Sequence, residues 1–197
     1  MRPMVALTAE QIAARRPELV VVGGSAGALE VLQHLTSGLT PSFSPAMAIV
    51  LHMPPDARGM LHELFAAPSR PPMKVAEDKE PITRGGIYFA APGYHLLVES
   101  DGTFALSLDE LVHFSRPSID VLFETAAEAY GDRVLGIILS GANSDGAEGL
   151  RAIADAGGTT IVQAPADVPA MPEAALKACG DSLIADVATI AKLLAAL

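Results

Sequence analysis

The chain has 197 residues, half of them hydrophobic and only 18% charged, which suits one domain with a sizeable core. A formal charge of −10, no tryptophan and no cluster mixing aromatic with basic residues argue against binding nucleic acid or anionic lipid by electrostatic attraction. The single cysteine, Cys179, excludes an internal disulfide framework, and no run of about 18 apolar residues is present to insert in a membrane, so a cytoplasmic location is the expectation.

Residues 1–17 read as an N-terminal arm or short helix, because "MRPMVALTAEQIAARRPE" lacks the apolar centre of a signal peptide. Residues 18–197 then alternate short apolar runs with helical patterns. "ELVVVGG" reads as a buried strand, and "ALEVLQHLTSGL" as a helix ending near Gly38. "SPAMAIVLHMPP" holds a second buried strand, stopped by two prolines, and "RGMLHELFAAPS" has helical spacing. "GGIYFAAPGYHLLVESDGTFALSL" breaks into three short extended runs, with "SDG" as a hairpin turn. "RPSIDVLFETAAEAYG" predicts a helix capped by Ser118 and stopped by Gly131. "RVLGIILSG" is a further buried strand and "DGAEGLRAIADAGG" a helix. "TTIVQA", "MPEAALKACG", "DSLIA" and "VATIAKLLAAL" continue as strand, helix, strand and helix.

Fully apolar strands alternating with helices predict an α/β fold. Its sheet is doubly wound and mostly parallel, with helices on both faces and an antiparallel hairpin as an insertion or edge. In such sheets ligands bind beyond the carboxyl ends of the strands. Three strands deliver polar side chains there: Ser25 after "LVVVGG", His52 after "AMAIVL" and Asp145 after "VLGIILSGANS". A nucleophile, a base and a carboxylate to orient the base are what acyl transfer requires. Each has another reading. Ser25 suits a helix cap, a lone histidine is more often structural, and a carboxylate opening a helix is favoured by the helix dipole. Gly23-x-Ser25-x-Gly27 fits a nucleophile elbow, whereas neither G-x-G-x-x-G nor a P-loop is present. The order serine, histidine, aspartate differs from that of the α/β-hydrolases. His34, His62, His95 and His113 show no metal-binding spacing.

With these segments in order, the chain resembles the catalytic domain of the CheB-type chemotaxis protein-glutamate methylesterases. "VVVGGSAGALEVL", "VLHMPP", "IYFAAPGYHLLV", "SRPSIDVLFETAA", "GIILSGANSDGAEGL" and "MPEAAL" carry the resemblance over residues 18–196. It implies Ser25 as nucleophile, His52 as base and Asp145 as the orienting carboxylate. The implied reaction is hydrolysis of glutamate methyl esters on the cytoplasmic helices of methyl-accepting chemoreceptors, with deamidation of particular glutamines as a related activity. Chemoreceptors and other chemosensory proteins are the implied partners, and no metal or cofactor is implied. Backbone amides of Ala26, Ala142 and Asn143 are candidate oxyanion donors, and Arg116 flanks the site as a candidate substrate contact. Two positions depart from the family pattern: Ala28 replaces a glycine after the nucleophile, and Gly141-Ala142-Asn143 replaces a Gly-Met-Gly type of run. Family members of the response-regulator type carry a receiver domain, for which residues 1–17 are too few, so the expectation is a lone catalytic domain or a fragment of a longer protein. The competing reading is an esterase-like docking module without turnover.

Overall fold

The computed structural model describes residues 9–53 and 73–197. Strand β1 is Leu19–Gly24, and all six of its residues are buried. Such a strand needs a partner on each edge. Parallel β2, Ala46–Leu51, lies on one side and parallel β7, Val134–Ile138, on the other. The sheet extends through β4, Ile87–Phe89, to β3, Met73–Val75, beyond β2. Beyond β7 lie β8, Thr159–Gln163, and β9, Leu183–Ala185. The spatial order is β3-β4-β2-β1-β7-β8-β9, with every pairing parallel. Chain order turns back between β1 and β7, and the predicted doubly wound sheet is therefore present, with its switch point beside β1.

Side chains alternate between the two faces of each strand. Val21, Ala48 and Ile138 enter one apolar layer, which includes residues of α3 (Ile119–Tyr130), α4 (Ala147–Asp155) and α5 (Ala170–Ala178). Val20, Val22, Met47 and Ile49 enter the other, with α2 (Ala28–Ser37) and α6 (Val187–Ala195). Ile12 of the short α1, Ala9–Ala14, is fully buried in this second layer.

The hairpin strands β5, His95–Val98, and β6, Phe104–Ser107, form a separate antiparallel sheet. The segment read as three extended runs thus divides: its first run joins the main sheet as β4, and the other two form an insertion. Leu96, Val98 and Phe104 pack into the α3 layer, and the Val98 N–H donates to Thr125 on α3. Ser118 caps α3 as expected, accepting from Val121 N–H, and Gly131 ends it at φ 59. Strand β3 is an addition to the expected elements: three residues are too few to show a periodic pattern. The helix expected over "RGMLHELFAAPS" lies outside the described residues.

Candidate active site at the strand ends

Strand pairing brings the first two site residues together. Gly24 pairs with Leu51, and His52 N–H donates to the Gly24 carbonyl at 2.9 Å. Ser25 and His52 are thus each one residue past the last paired position of neighbouring strands, with backbones about 5 Å apart. The half-buried Ser25 is not the cap of α2. That position is Gly27, at φ 79, and no side chain caps the helix. Ser25 is instead held by its backbone: its N–H donates to the Ser140 carbonyl, and its carbonyl accepts from Ala28 N–H. The hydroxyl has no hydrogen bond among the described residues and remains available for chemistry.

Small residues make this turn possible. A Cβ on Gly24 would lie 2.6 Å from Ala28 Cβ, and one on Gly23 would lie 2.3 Å from Ile119 Cγ2. Buried Ser140, at the end of β7, staples the neighbouring loops. Its hydroxyl donates to the Ala26 carbonyl and accepts from Val168 N–H, while its N–H donates to Gln163 Oε1.

His52 Nε2 lies 2.8 Å from Asp145 Oδ2, with the imidazole 12% exposed and the carboxylate fully buried. The contact is close but off the hydrogen-bonding axis, and Nε2 has no well-angled partner among the described residues. Asp145 does not cap the helix that follows it. Gly146, at φ 94, is the N-cap of α4, without a side-chain cap. The Asp145 carboxylate turns onto the N-terminus of α3. Oδ1 accepts from Ser118 Oγ at 2.8 Å and Asp120 N–H at 3.0 Å, and Oδ2 accepts from Ile119 N–H at 2.8 Å. Burial alone would raise this carboxyl. The His52 contact and the donors from Ile119, Asp120 and Ser118 outweigh burial and hold it below the ordinary aspartate value. Asp145 is therefore a fixed anion facing the imidazole.

A further ring of residues surrounds this carboxylate. His95 Nδ1 accepts from Ser118 N–H, which places the ring proton on Nε2, where it is donated to the Glu110 carbonyl at 2.9 Å. Asp120 is buried and accepts from Gly149 N–H at 2.7 Å, with His113 Nε2 3.2 Å from its other oxygen. Burial, reinforced by the nearby Asp145 charge, pushes Asp120 up to about 6, against the pull of Gly149 N–H and His113. His113, Asp120 and Asp145 offer atoms within 4.8 Å of one another. Both Asp145 oxygens, however, already accept from N–H and O–H donors at the N-terminus of α3.

The expected oxyanion donors lie at the same sheet edge. Ala26, Ala142 and Asn143 have backbone N–H groups with no acceptor among the described residues, whereas Gly141 N–H is taken by the Val168 carbonyl. The Asn143 side chain accepts from Asp145 N–H at 3.3 Å, shaping the loop. Arg116 Nη1 donates to the carbonyls of Leu108 and Asp109, both at 2.8 Å, so this cation braces a loop next to the site. The sequence reading did not identify His95, Asp120 and Ser140 as site neighbours. Most of their partners are backbone groups, which leave no residue-type signature.

The sequence and the fold are similar to those of known proteins. The CheB methylesterase family model matches residues 20–194. A Leptospira interrogans protein, provisionally named protein-glutamate methylesterase/protein-glutamine glutaminase, is 42% identical over 178 residues, 89% of this chain and 92% of that one. A protein-glutamate methylesterase/protein-glutamine glutaminase of Rhodospirillum rubrum is 36% identical over 156 residues, which make up 77% of this chain and 40% of that longer protein. The crystal structure of the Thermotoga maritima CheB methylesterase catalytic domain aligns with a TM-score of 0.84 at 28% identity, covering 90% of this chain and 97% of that one. With the family model spanning nearly the whole described sheet and a solved catalytic domain sharing its topology, the chain belongs to the CheB methylesterase family.

Proposed function

We propose that the chain is a cytoplasmic serine hydrolase that removes methyl esters from glutamate residues on chemoreceptor cytoplasmic helices, in chemotaxis or a related chemosensory adaptation. Deamidation of particular glutamines uses the same acyl chemistry, with ammonia leaving in place of methanol. The observation that carries this reading is the 2.8 Å contact between His52 and the buried Asp145, on the strand neighbouring Ser25.

Ser25 Oγ attacks the ester carbonyl carbon. Because Nε2 of His52 faces Asp145, Nδ1 is the nitrogen that takes the serine proton. Asp145 stays ionised and stabilises the imidazolium. The oxyanion develops near the N–H groups of Ala26, Ala142 and Asn143, which have no acceptor to give up among the described residues. Collapse breaks the carbon–methoxy bond, and the leaving oxygen takes the proton from His52 and departs as methanol. Water then attacks the glutamyl ester of Ser25, passing a proton to His52. The second collapse returns that proton to Ser25 and frees the glutamate carboxyl, which gives water's second proton to solvent and leaves as the carboxylate.

The test compares methanol release from methylated receptor membranes with turnover of a chromogenic acetate ester. The proposal expects methanol release by the parent chain and none by Ser25→Ala. Turnover of the small ester alone would make the chain a different hydrolase, and neither signal would make it a docking module.

A further inference from the structure

Five large hydrophobic side chains are exposed among the described residues, and four of them lie on two joined segments beside the site. Tyr94 immediately precedes His95. Leu108, Leu111 and Phe114 lie on the loop after β6 and are 64%, 56% and 97% exposed. Three side chains tie this loop to the site. His95 holds the Glu110 carbonyl, Arg116 holds those of Leu108 and Asp109, and His113 contacts Asp120. His95 and Asp120 in turn meet the same helix N-terminus as Asp145, through Ser118 N–H and through Asp120 N–H. Val112 and Ser115 exchange two backbone hydrogen bonds that close the loop tip.

The tip is also strained. His113 and Phe114 have φ of 48 and 60, consecutive non-glycine residues in the left-handed region. A backbone held in that conformation, on a braced loop, presents an aromatic ring almost wholly to solvent. Neither feature stabilises the free chain. Both make sense if the ring is buried by a partner: rigid aromatic anchors bind with little ordering cost.

We infer that Leu108, Leu111 and Phe114 form a preorganised apolar platform that docks the helix bearing the scissile ester. This rests on the esterase reading above, and it names how the macromolecular substrate is gripped. Continuity with the site selects that occupant: His95, which holds the loop at Glu110, and Asp120, which His113 of the loop contacts, meet the helix N-terminus that also holds Asp145. Charge supports the choice. The chain carries −10, the loop adds Asp109 and Glu110, and every turnover creates a new carboxylate on the substrate. Net charge therefore opposes the encounter with such a partner, and apolar contact has to hold it. An amphipathic helix set on spaced apolar anchors is a recurrent mode of peptide recognition.

The experiment measures binding separately from turnover. The Ser25→Ala chain is titrated with a soluble, methyl-esterified cytoplasmic fragment of a chemoreceptor, and dissociation constants are read by fluorescence anisotropy. Adding Phe114→Ser should weaken binding about tenfold or more. Adding Leu111→Ser as well should weaken it further. Ile184→Ser, which removes the fifth exposed apolar side chain, on edge strand β9, should leave the affinity within twofold. Thermal unfolding confirms that each variant is folded. An unchanged affinity in folded Phe114→Ser, or an equal loss in Ile184→Ser, overturns the platform. So does failure of the Ser25→Ala chain to bind the fragment, or Phe114-dependent self-association with unchanged fragment binding. A fragment that binds through Phe114 but is never hydrolysed by the Ser25 chain overturns the esterase reading and leaves the platform standing.

Discussion

Replacing Asp145 with asparagine separates its two jobs. The carboxylate accepts from Ser118 Oγ, Ile119 N–H and Asp120 N–H and faces His52. An amide offers one acceptor oxygen. If that oxygen takes the Oδ2 position, the amide NH2 confronts Asp120 N–H; the Ser118 hydroxyl can rotate to accept, but the backbone cannot. If the oxygen takes the Oδ1 position, the NH2 confronts Ile119 N–H and donates to His52 Nε2. The imidazole proton then moves to Nδ1, the atom that must receive the Ser25 proton. Either way one buried N–H is left unpaired, at about 1–3 kcal/mol, and the helix N-terminus loses its anion, at up to about 2 kcal/mol. The expected destabilisation is about 2–4 kcal/mol. It should shrink below about pH 4, because a carboxyl whose folded pKa is depressed stabilises only above its unfolded value, and loses that contribution as pH falls. The rate effect is separate: kcat in the folded protein should fall by about three to four orders of magnitude, as the same change does in a serine protease triad. Thermal unfolding and kcat measured well below the midpoint separate the two. Folded Asp145→Asn with kcat within about tenfold of the parent, about 1.4 kcal/mol, would refute the orienting role and leave Asp145 as a brace for α3.

Ser25→Ala and His52→Ala should each abolish most turnover, and the double variant should lose little more, because the residues act as one unit; additive losses in methanol release would contradict that. Ser118→Ala removes both a donor to Asp145 and the cap of α3, so it should cost about 1–2 kcal/mol in thermal unfolding, with a smaller loss in kcat because the Oδ2 contact with His52 remains. Asp120, with its folded value raised to about 6, favours the fold fully below its unfolded value and loses that advantage as pH rises through 6. Asp120→Asn should therefore flatten the decline in stability between about pH 4 and 6.5, worth up to about 3 kcal/mol, in urea unfolding; parallel curves for parent and variant would contradict the assignment.

The strand ends were legible in the sequence because a buried parallel strand is a continuous apolar run, and the polar residue that follows it marks the site edge. That rule leads to Ser25 and His52; after β7 the first polar residue is Ser140, and Asp145 stands out only as the carboxylate at the end of the loop that follows. What Asp145 holds was not legible. It precedes a helix in sequence but serves a different helix in space, and that depends on how α3 crosses the end of β7. Ser118 shows the same limit: its capping bond is local and predictable, while its hydroxyl bond to Asp145 spans 27 positions. Arg116 reads as a candidate substrate contact in the sequence, and its bracing of the loop is not legible there because its acceptors are carbonyls, which every residue possesses. The hairpin was recognised by its turn, but whether it joined the main sheet depended on burial by α3, which no local pattern records.

The double duty of Asp145 bears on how this family's sequences diverge. A lineage that abandons hydrolysis is released from constraint at Ser25, whose hydroxyl makes no hydrogen bond among the described residues. It is not released at Asp145, because losing that carboxylate unpairs the start of α3. Inactive descendants should therefore keep their aspartate long after their serine has drifted. In a newly found relative, an intact acid testifies to the architecture, and the proposed chemistry has to be judged from the serine and histidine positions instead.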